Sequence, residues 1–203
     1  MKQLFFLNLL LLLASQMVAQ PTFNFGVKAG ITSSKITEDT YEFSSESIVK
    51  MHVGAFARYG GLLFVQPEAY YSAKGGNMAS RDGTDTKFNL NNLDIPVLFG
   101  VKLFKKKDIN LRLMGGPVFC FVLSKNIDYE SRLYSPFDVQ NIKDYYSGFQ
   151  YGASVDFGKL SLGARMENGI NNVYKPHGAS YRTDGFSDSK NNTFMLTFGY
   201  RFF

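Results

Sequence analysis

The chain has 203 residues, a net charge of +5 and a pI near 9.2, and 16% of its residues are aromatic, none of them tryptophan. That length suits one domain or one closed sheet and not two domains. The basic residues are scattered, with Lys105-Lys106-Lys107 the only run, which argues against a nucleic-acid partner, and the lone Cys120 rules out an intrachain disulfide and reads as a small buried side chain.

From the start, Met1-Lys2-Gln3 carries one positive charge, Leu4 through Leu13 is apolar, and Ala14 through Ala19 brings small residues. This is the plan of a secretory signal peptide over residues 1–19, with cleavage before Gln20 and Met17 an unusual residue three places before the cut. The rest, residues 20–203, forms one domain. Nothing after Leu13 supplies the roughly 18 consecutive apolar residues that a transmembrane helix needs. If the chain enters a membrane, it does so as strands.

Phe23, Phe25, Val27, Ala29 and Ile31 alternate with Asn24, Gly26, Lys28, Gly30 and Thr32, the two-residue period of a strand. A second strand follows from Val49 to Tyr59, with Gly60-Gly61 as a hairpin turn. A third runs from Leu63 to Ser72. Further strands are expected at about Phe88–Phe104, Ile109–Leu123, Tyr145–Phe157, Leu160–Ile170 and from Asn191 to the end. Long polar links (about Ser34–Ser47, Gly75–Thr86, Ser124–Asp144 and Asn171–Lys190) alternate with short ones at Gly60-Gly61, Lys105–Asp108 and Gly158-Lys159. That sorting belongs to a barrel with an even number of strands, short periplasmic turns and long outward loops. Many strands reach the roughly 9–11 residues that cross a hydrocarbon layer when tilted. The fold predicted is all-β, an eight-stranded antiparallel up-and-down transmembrane β-barrel, closed by pairing the first strand with the last because no edge can stay unpaired in lipid.

In the last strand Phe194, Leu196, Phe198, Tyr200 and Phe202 share a face that should meet lipid. Leu160, Leu162, Ala164 and Met166 do so in the seventh, which sends Arg165 and Glu167 inward, since charges against lipid are costly. The lumen charge network expected on this basis comprises Lys28, Arg58, Glu68, Asp94, Arg112, Arg165, Glu167 and Arg201, with Gln150 and Asp156 beside them. An interior just wide enough for its own side chains predicts a filled core in place of a channel. Aromatic residues near strand ends, among them Phe23, Tyr59, Tyr70, Tyr71, Phe104, Phe121, Tyr145 and Tyr200, suit interfacial girdles.

The segments Phe64-Val65-Gln66-Pro67-Glu68-Ala69-Tyr70-Tyr71-Ser72-Ala73-Lys74-Gly75, Leu93-Asp94-Ile95-Pro96-Val97-Leu98 and Gly115-Gly116-Pro117 together resemble the PorT-like outer-membrane β-barrel family, a porin family. The resemblance covers the mature chain, including the terminal Gly199-Tyr200-Arg201-Phe202-Phe203, which looks like the strand that the outer-membrane assembly machinery recognises. It implies an outer-membrane location, eight strands and a Bacteroidetes-type source. PorT itself is linked to a secretion system, a role that these family-wide landmarks do not carry across. Pro67 and Pro96, lacking an amide hydrogen, are expected at bulges, and Gly115-Gly116-Pro117 is expected to bend the fifth strand.

No catalytic, cofactor or metal site is expected. His177 lies in the fourth loop beside Ser180 and His52 near the start of the second strand, with no third group to orient a base and nucleophile. The acidic first loop (Glu38, Asp39, Glu42 and Glu46 against Lys35) offers at most a weak divalent-cation site and reads as hydrated surface. The function expected is a structural or interaction barrel acting through its extracellular loops, with lipid, the assembly machinery and a protein partner at the loops as its contacts; the alternative is a narrow pore for ions or small solutes. A soluble lipocalin-like barrel would need the opposite polarity.

Overall fold

In the computed structural model, which describes residues 22–37, 44–79, 85–106, 109–129, 143–171 and 190–203, the chain forms eight strands. These are β1 (Thr22–Thr37), β2 (Ser44–Gly60), β3 (Leu63–Ala79), β4 (Asp85–Lys106), β5 (Ile109–Tyr129), β6 (Tyr145–Phe157), β7 (Leu160–Gly169) and β8 (Lys190–Arg201). Each pairs antiparallel with its chain neighbour, and β1 pairs with β8 from Gly26↔Arg201 to Thr37↔Lys190, so the sheet is a closed barrel. The expected fold is the observed one. The proposed signal peptide lies outside the described residues.

The short connections gather at one rim. Phe157↔Leu160 closes a two-residue hairpin over Gly158-Lys159, where Gly158 takes a φ of +59° that favours glycine. At the second turn the linking residues are Gly61 and Leu62, one place beyond the expected pair, because Gly60 still pairs with Thr22 and Phe64.

At the other rim β1 to β5 outrun their expected limits, whereas β6 starts at Tyr145 as expected and β7 ends at Gly169. β4 and β5 have 22 and 21 residues, against 10 in β7. At about 3.3 Å per residue and a tilt near 45°, β4 reaches on the order of 50 Å, well beyond a hydrocarbon layer of about 30 Å. Segments read as loop are therefore laddered sheet: Ser44↔Ala79, Ala79↔Asp85 and Thr86↔Tyr129 are pairs. Above the lipid both faces of a sheet meet water, so the apolar–polar alternation that marks a strand disappears while the hydrogen bonds continue.

The prolines do not sit at bulges. Pairing lapses where Ala57 faces Pro67, where Glu68 faces Pro96 and where Val97 faces Pro117, then resumes in unchanged register. The missing amide removes ladder bonds without adding a residue to either strand. The register shifts lie elsewhere, between Ser47 and His52, Asn91 and Asn92, and Lys102 and Phe104.

Polarity is inverted relative to a soluble globule. Phe194, Leu196, Phe198 and Tyr200 are exposed on the outside, whereas Thr193, Met195 and Thr197 are buried within. Space inside is divided by pairing large side chains with glycines directly across the ladder: Phe56 with Gly26, Phe64 with Gly100, and Tyr70 with Gly54. A Cβ at Gly54 would stand 2.2 Å from the Ala69 carbonyl oxygen and 2.3 Å from the Tyr70 Cβ. Gly54→Val is therefore expected to lower the unfolding free energy by about 1–3 kcal/mol through overpacking, read from urea titration of the lipid-refolded barrel by its heat-sensitive gel mobility.

Candidate functional site

The lumen concentrates the polar chemistry. Alternation along β3 aims Gln66, Glu68, Tyr70, Ser72 and Lys74 inward in ascending order from the short-turn rim, and all five are buried. Around this column the other strands supply Lys28, Arg58, Asp94, Arg112, Gln150, Asp156, Arg165 and Glu167, also buried. Among the described residues five buried cations thus face four buried carboxylates.

They form three linked tiers. Nearest the short-turn rim, Asp156 accepts from Arg58 Nη1 at 3.1 Å and Arg112 Nη2 at 2.5 Å. Gln66 Oε1 accepts from Arg58 Nε at 2.6 Å and Arg112 Nη1 at 3.2 Å. The two guanidiniums lie over aromatic faces, Arg58 5.4 Å from the Phe56 ring centre and 5.5 Å from that of Phe64. Phe64, Leu98 and Met114 pack together at this end as an apolar cluster inside the barrel.

In the middle tier Glu68 takes a two-pronged contact from Arg165, 2.7 Å on each oxygen, and an ion pair from Lys28. Gln66 Nε2 donates to Glu68 at 2.6 Å, which ties this tier to the first. Lys28 also stands 3.8 Å from the Tyr70 ring centre.

In the third tier Lys74 bridges Asp94 at 2.9 Å and Glu167 at 2.5 Å. Ser72 donates to Asp94, and Gln150 donates to both Glu167 and the Tyr70 hydroxyl. Asp94, Cys120 and Glu167 bring donor atoms within 4.8 Å of one another, close enough for a metal ion. The Lys74 ammonium, also 3.7 Å from the Cys120 sulfur, supplies a built-in positive charge among them.

Seven of the eight expected network residues, Lys28, Arg58, Glu68, Asp94, Arg112, Arg165 and Glu167, meet in these tiers. Arg201 does not. It is half-buried at the short-turn rim, where its guanidinium donates to the Gly158 carbonyl at 2.8 Å, because β8 ends there. Lys74 was missing from the expectation, although the alternation through Ser72 pointed to it; ending the strand at Ser72 hid it. Cys120 is buried, as expected. His52 does point inward, its Nε2 3.1 Å from the Thr197 hydroxyl and its ring against Tyr70. His177, Ser180, Glu38, Asp39 and Glu42 lie outside the described residues, and Glu46 is part of β2, paired with Asn77.

Over residues 18–175 the sequence matches the family described as outer membrane protein beta-barrel domain. No curated protein matches it at a significant level. Among solved structures it is similar to Ail, the attachment invasion locus protein of Yersinia pestis, solved in complex with the heparin analogue sucrose octasulfate: identity is 17%, coverage 89% of this chain and 99% of that one, and the TM-score 0.45. It is likewise similar to the outer membrane protein OprG from Pseudomonas aeruginosa, with 13% identity, 88% and 95% coverage and a TM-score of 0.48.

Removing one partner from a buried ionic cluster strands the others. Glu68→Gln leaves Lys28 and Arg165 short of a carboxylate, and it is expected to cost about 3–5 kcal/mol in unfolding free energy. Lys125→Ala, which breaks the exposed pair with Asp144, should cost under about 1 kcal/mol in the same urea titration.

Proposed function

The chain belongs to the outer membrane protein β-barrel family and resides in the cell outer membrane, and from that premise we propose that it is an interaction barrel, presenting a partner-binding surface on its outward side while its lumen stays filled. The observation that carries this reading is the continuity of the three tiers. Among the described residues side chains and ion pairs run from Asp156 to Glu167 with an apolar cluster beneath them, which supports a filled lumen over an open channel.

The outward end supports the same reading. β2 to β5 rise as a sheet above the lipid and lead into segments 80–84 and 130–142, whereas the β5–β6 ladder stops at Phe121↔Tyr145. Among the described residues β5 beyond Ser124 pairs only with β4. Such a raised sheet offers a protein partner both side chains and backbone. We read the chain as non-enzymatic, on the sequence ground that no motif around His52 or His177 supplies a third group to orient a base and nucleophile.

Finer placement in the PorT-like branch, of Bacteroidetes type, rests on the landmarks around Gln66-Pro67-Glu68, Asp94-Ile95-Pro96 and Gly115-Gly116-Pro117. The same reading makes residues 1–19 a signal peptide and the terminal Tyr200-Arg201-Phe202-Phe203 the assembly signal. Sequencing the amino terminus of the membrane-extracted protein should then begin at Gln20; an uncleaved Met1 would refute that part.

Reconstituted in planar bilayers, the barrel is expected to stay silent over a wide voltage range, and steady single-channel steps would favour the narrow-pore alternative instead. Deleting residues 130–142 or 172–189 should preserve heat-sensitive gel mobility and remove cross-linked partners captured on intact cells. If both deletions leave those partners in place, the interaction reading fails.

A further inference from the structure

The outside of the barrel is not uniform. Over β6, β7, β8 and β1 at one level lies a depression of about 580 Å³, lined almost wholly by apolar atoms. Its floor is made by small side chains, Ala29, Ala153 and Ala164, and its flanks by larger outward ones such as Leu162, Leu196 and Phe198. These residues alternate with the lumen-facing Ser154 and Thr197, so the hollow opens to the hydrocarbon and not to the interior.

The same strands end at a positively charged corner. Lys159, exposed in the β6–β7 turn, donates to the Phe202 carbonyl at 3.2 Å, and Arg201 donates to the Gly158 carbonyl at 2.8 Å. The Arg201 amide bonds the Lys159 carbonyl at 2.8 Å, which staples the turn to the end of β8. Arg201 is on the inward phase of β8 and half-buried, whereas Lys159 is exposed and its ammonium is held on a carbonyl oxygen. Phe202 stacks on Phe25 and meets Tyr200 edge-on beside them. Such an aromatic group marks the level of lipid headgroups. Lys159 to Leu162 is three residues, about 10 Å along β7, a span that places phosphate-binding charge directly below the hollow.

We propose that this wall holds one phospholipid of the periplasmic leaflet, its phosphate at Lys159 and one acyl chain in the depression over Ala153 and Ala164. The side of the membrane follows from the short turns, which face the periplasm in barrels of this kind. The occupant follows from the chemistry, because a hydrocarbon-facing apolar hollow above an exposed ammonium is complementary to a chain joined to an anion. The site is independent of the interaction reading, being on the opposite end and outer face of the barrel.

The absence of tryptophan permits a background-free test. Phe198→Trp places a reporter on the flank of the hollow, and Tyr71→Trp places one on the exposed outer face of β3, away from the hollow and on the strand that follows the uncharged turn Gly61-Leu62. Each barrel is reconstituted in phosphatidylcholine vesicles containing brominated phosphatidylglycerol or brominated diacylglycerol, and the chain association is read from quenching. Phosphatidylglycerol should associate several-fold more strongly at the Phe198→Trp reporter than at Tyr71→Trp, and diacylglycerol should show a smaller preference. Lys159→Gln should remove the phosphatidylglycerol advantage over diacylglycerol, and Ala164→Phe, or Ala153→Leu if the first fails to fold, should weaken both lipids at Phe198→Trp alone.

Equal association at the two reporters overturns the proposal, as does indifference to both the Lys159 and the alanine substitutions. Protection of the Phe198→Trp reporter that grows with protein density, together with cross-linked dimers through this wall, would overturn it in favour of a second copy of the chain. Silent bilayers or lost loop partners would leave this result untouched, so the two readings fail separately.

Discussion

The ladder between β1 and β8 is the constraint from which the other features follow. In hydrocarbon no water replaces a lost backbone hydrogen bond, and an unpaired edge along β1 would leave a row of donors and acceptors without partners. Pairing Gly26 through Thr37 with Arg201 through Lys190 removes both edges at once. Closure then fixes an inside and an outside, and with them the fate of every side chain in the wall.

Once the ring is closed, the apolar set must face lipid, which leaves the polar set a lumen with little room. Two devices reconcile volume and charge there. Large side chains face glycines across the ladder, as Phe64 does Gly100, and charges are shared among several partners, as Glu68 is among Arg165, Lys28 and Gln66. Buried ion pairs contribute little net stability over an apolar filling of the same shape. A chain with apolar residues on both faces, however, would carry long hydrophobic runs of the kind that form membrane helices. Alternating polarity keeps such runs out of the strands, and the lumen must therefore accommodate the polar half.

The two ends of the barrel serve different surroundings. At the short-turn rim, tight hairpins, aromatic rings and the Lys159–Arg201 corner sit where lipid headgroups lie. At the other rim β2 to β5 outgrow the membrane by several residues while β7 stops near the span that lipid demands.

The sequence by itself determined the number of strands, their alternation and which face meets lipid, because lipid imposes a strict period of two that is visible in runs such as Phe194–Tyr200. It determined seven of the charged residues brought together inside, since a charge on the inward phase has nowhere else to go. It did not determine where strands end outside the membrane, because the period vanishes when both faces are wet; Gly75–Ala79 and Ser124–Tyr129 read as loop for that reason, and Lys74 was lost with them. Nor did it determine who pairs with whom. That Lys74 joins Asp94 to Glu167, that Arg201 stops at the rim, and that the prolines interrupt the ladder without shifting it are results of register, a property set by the stagger of all eight strands around the ring.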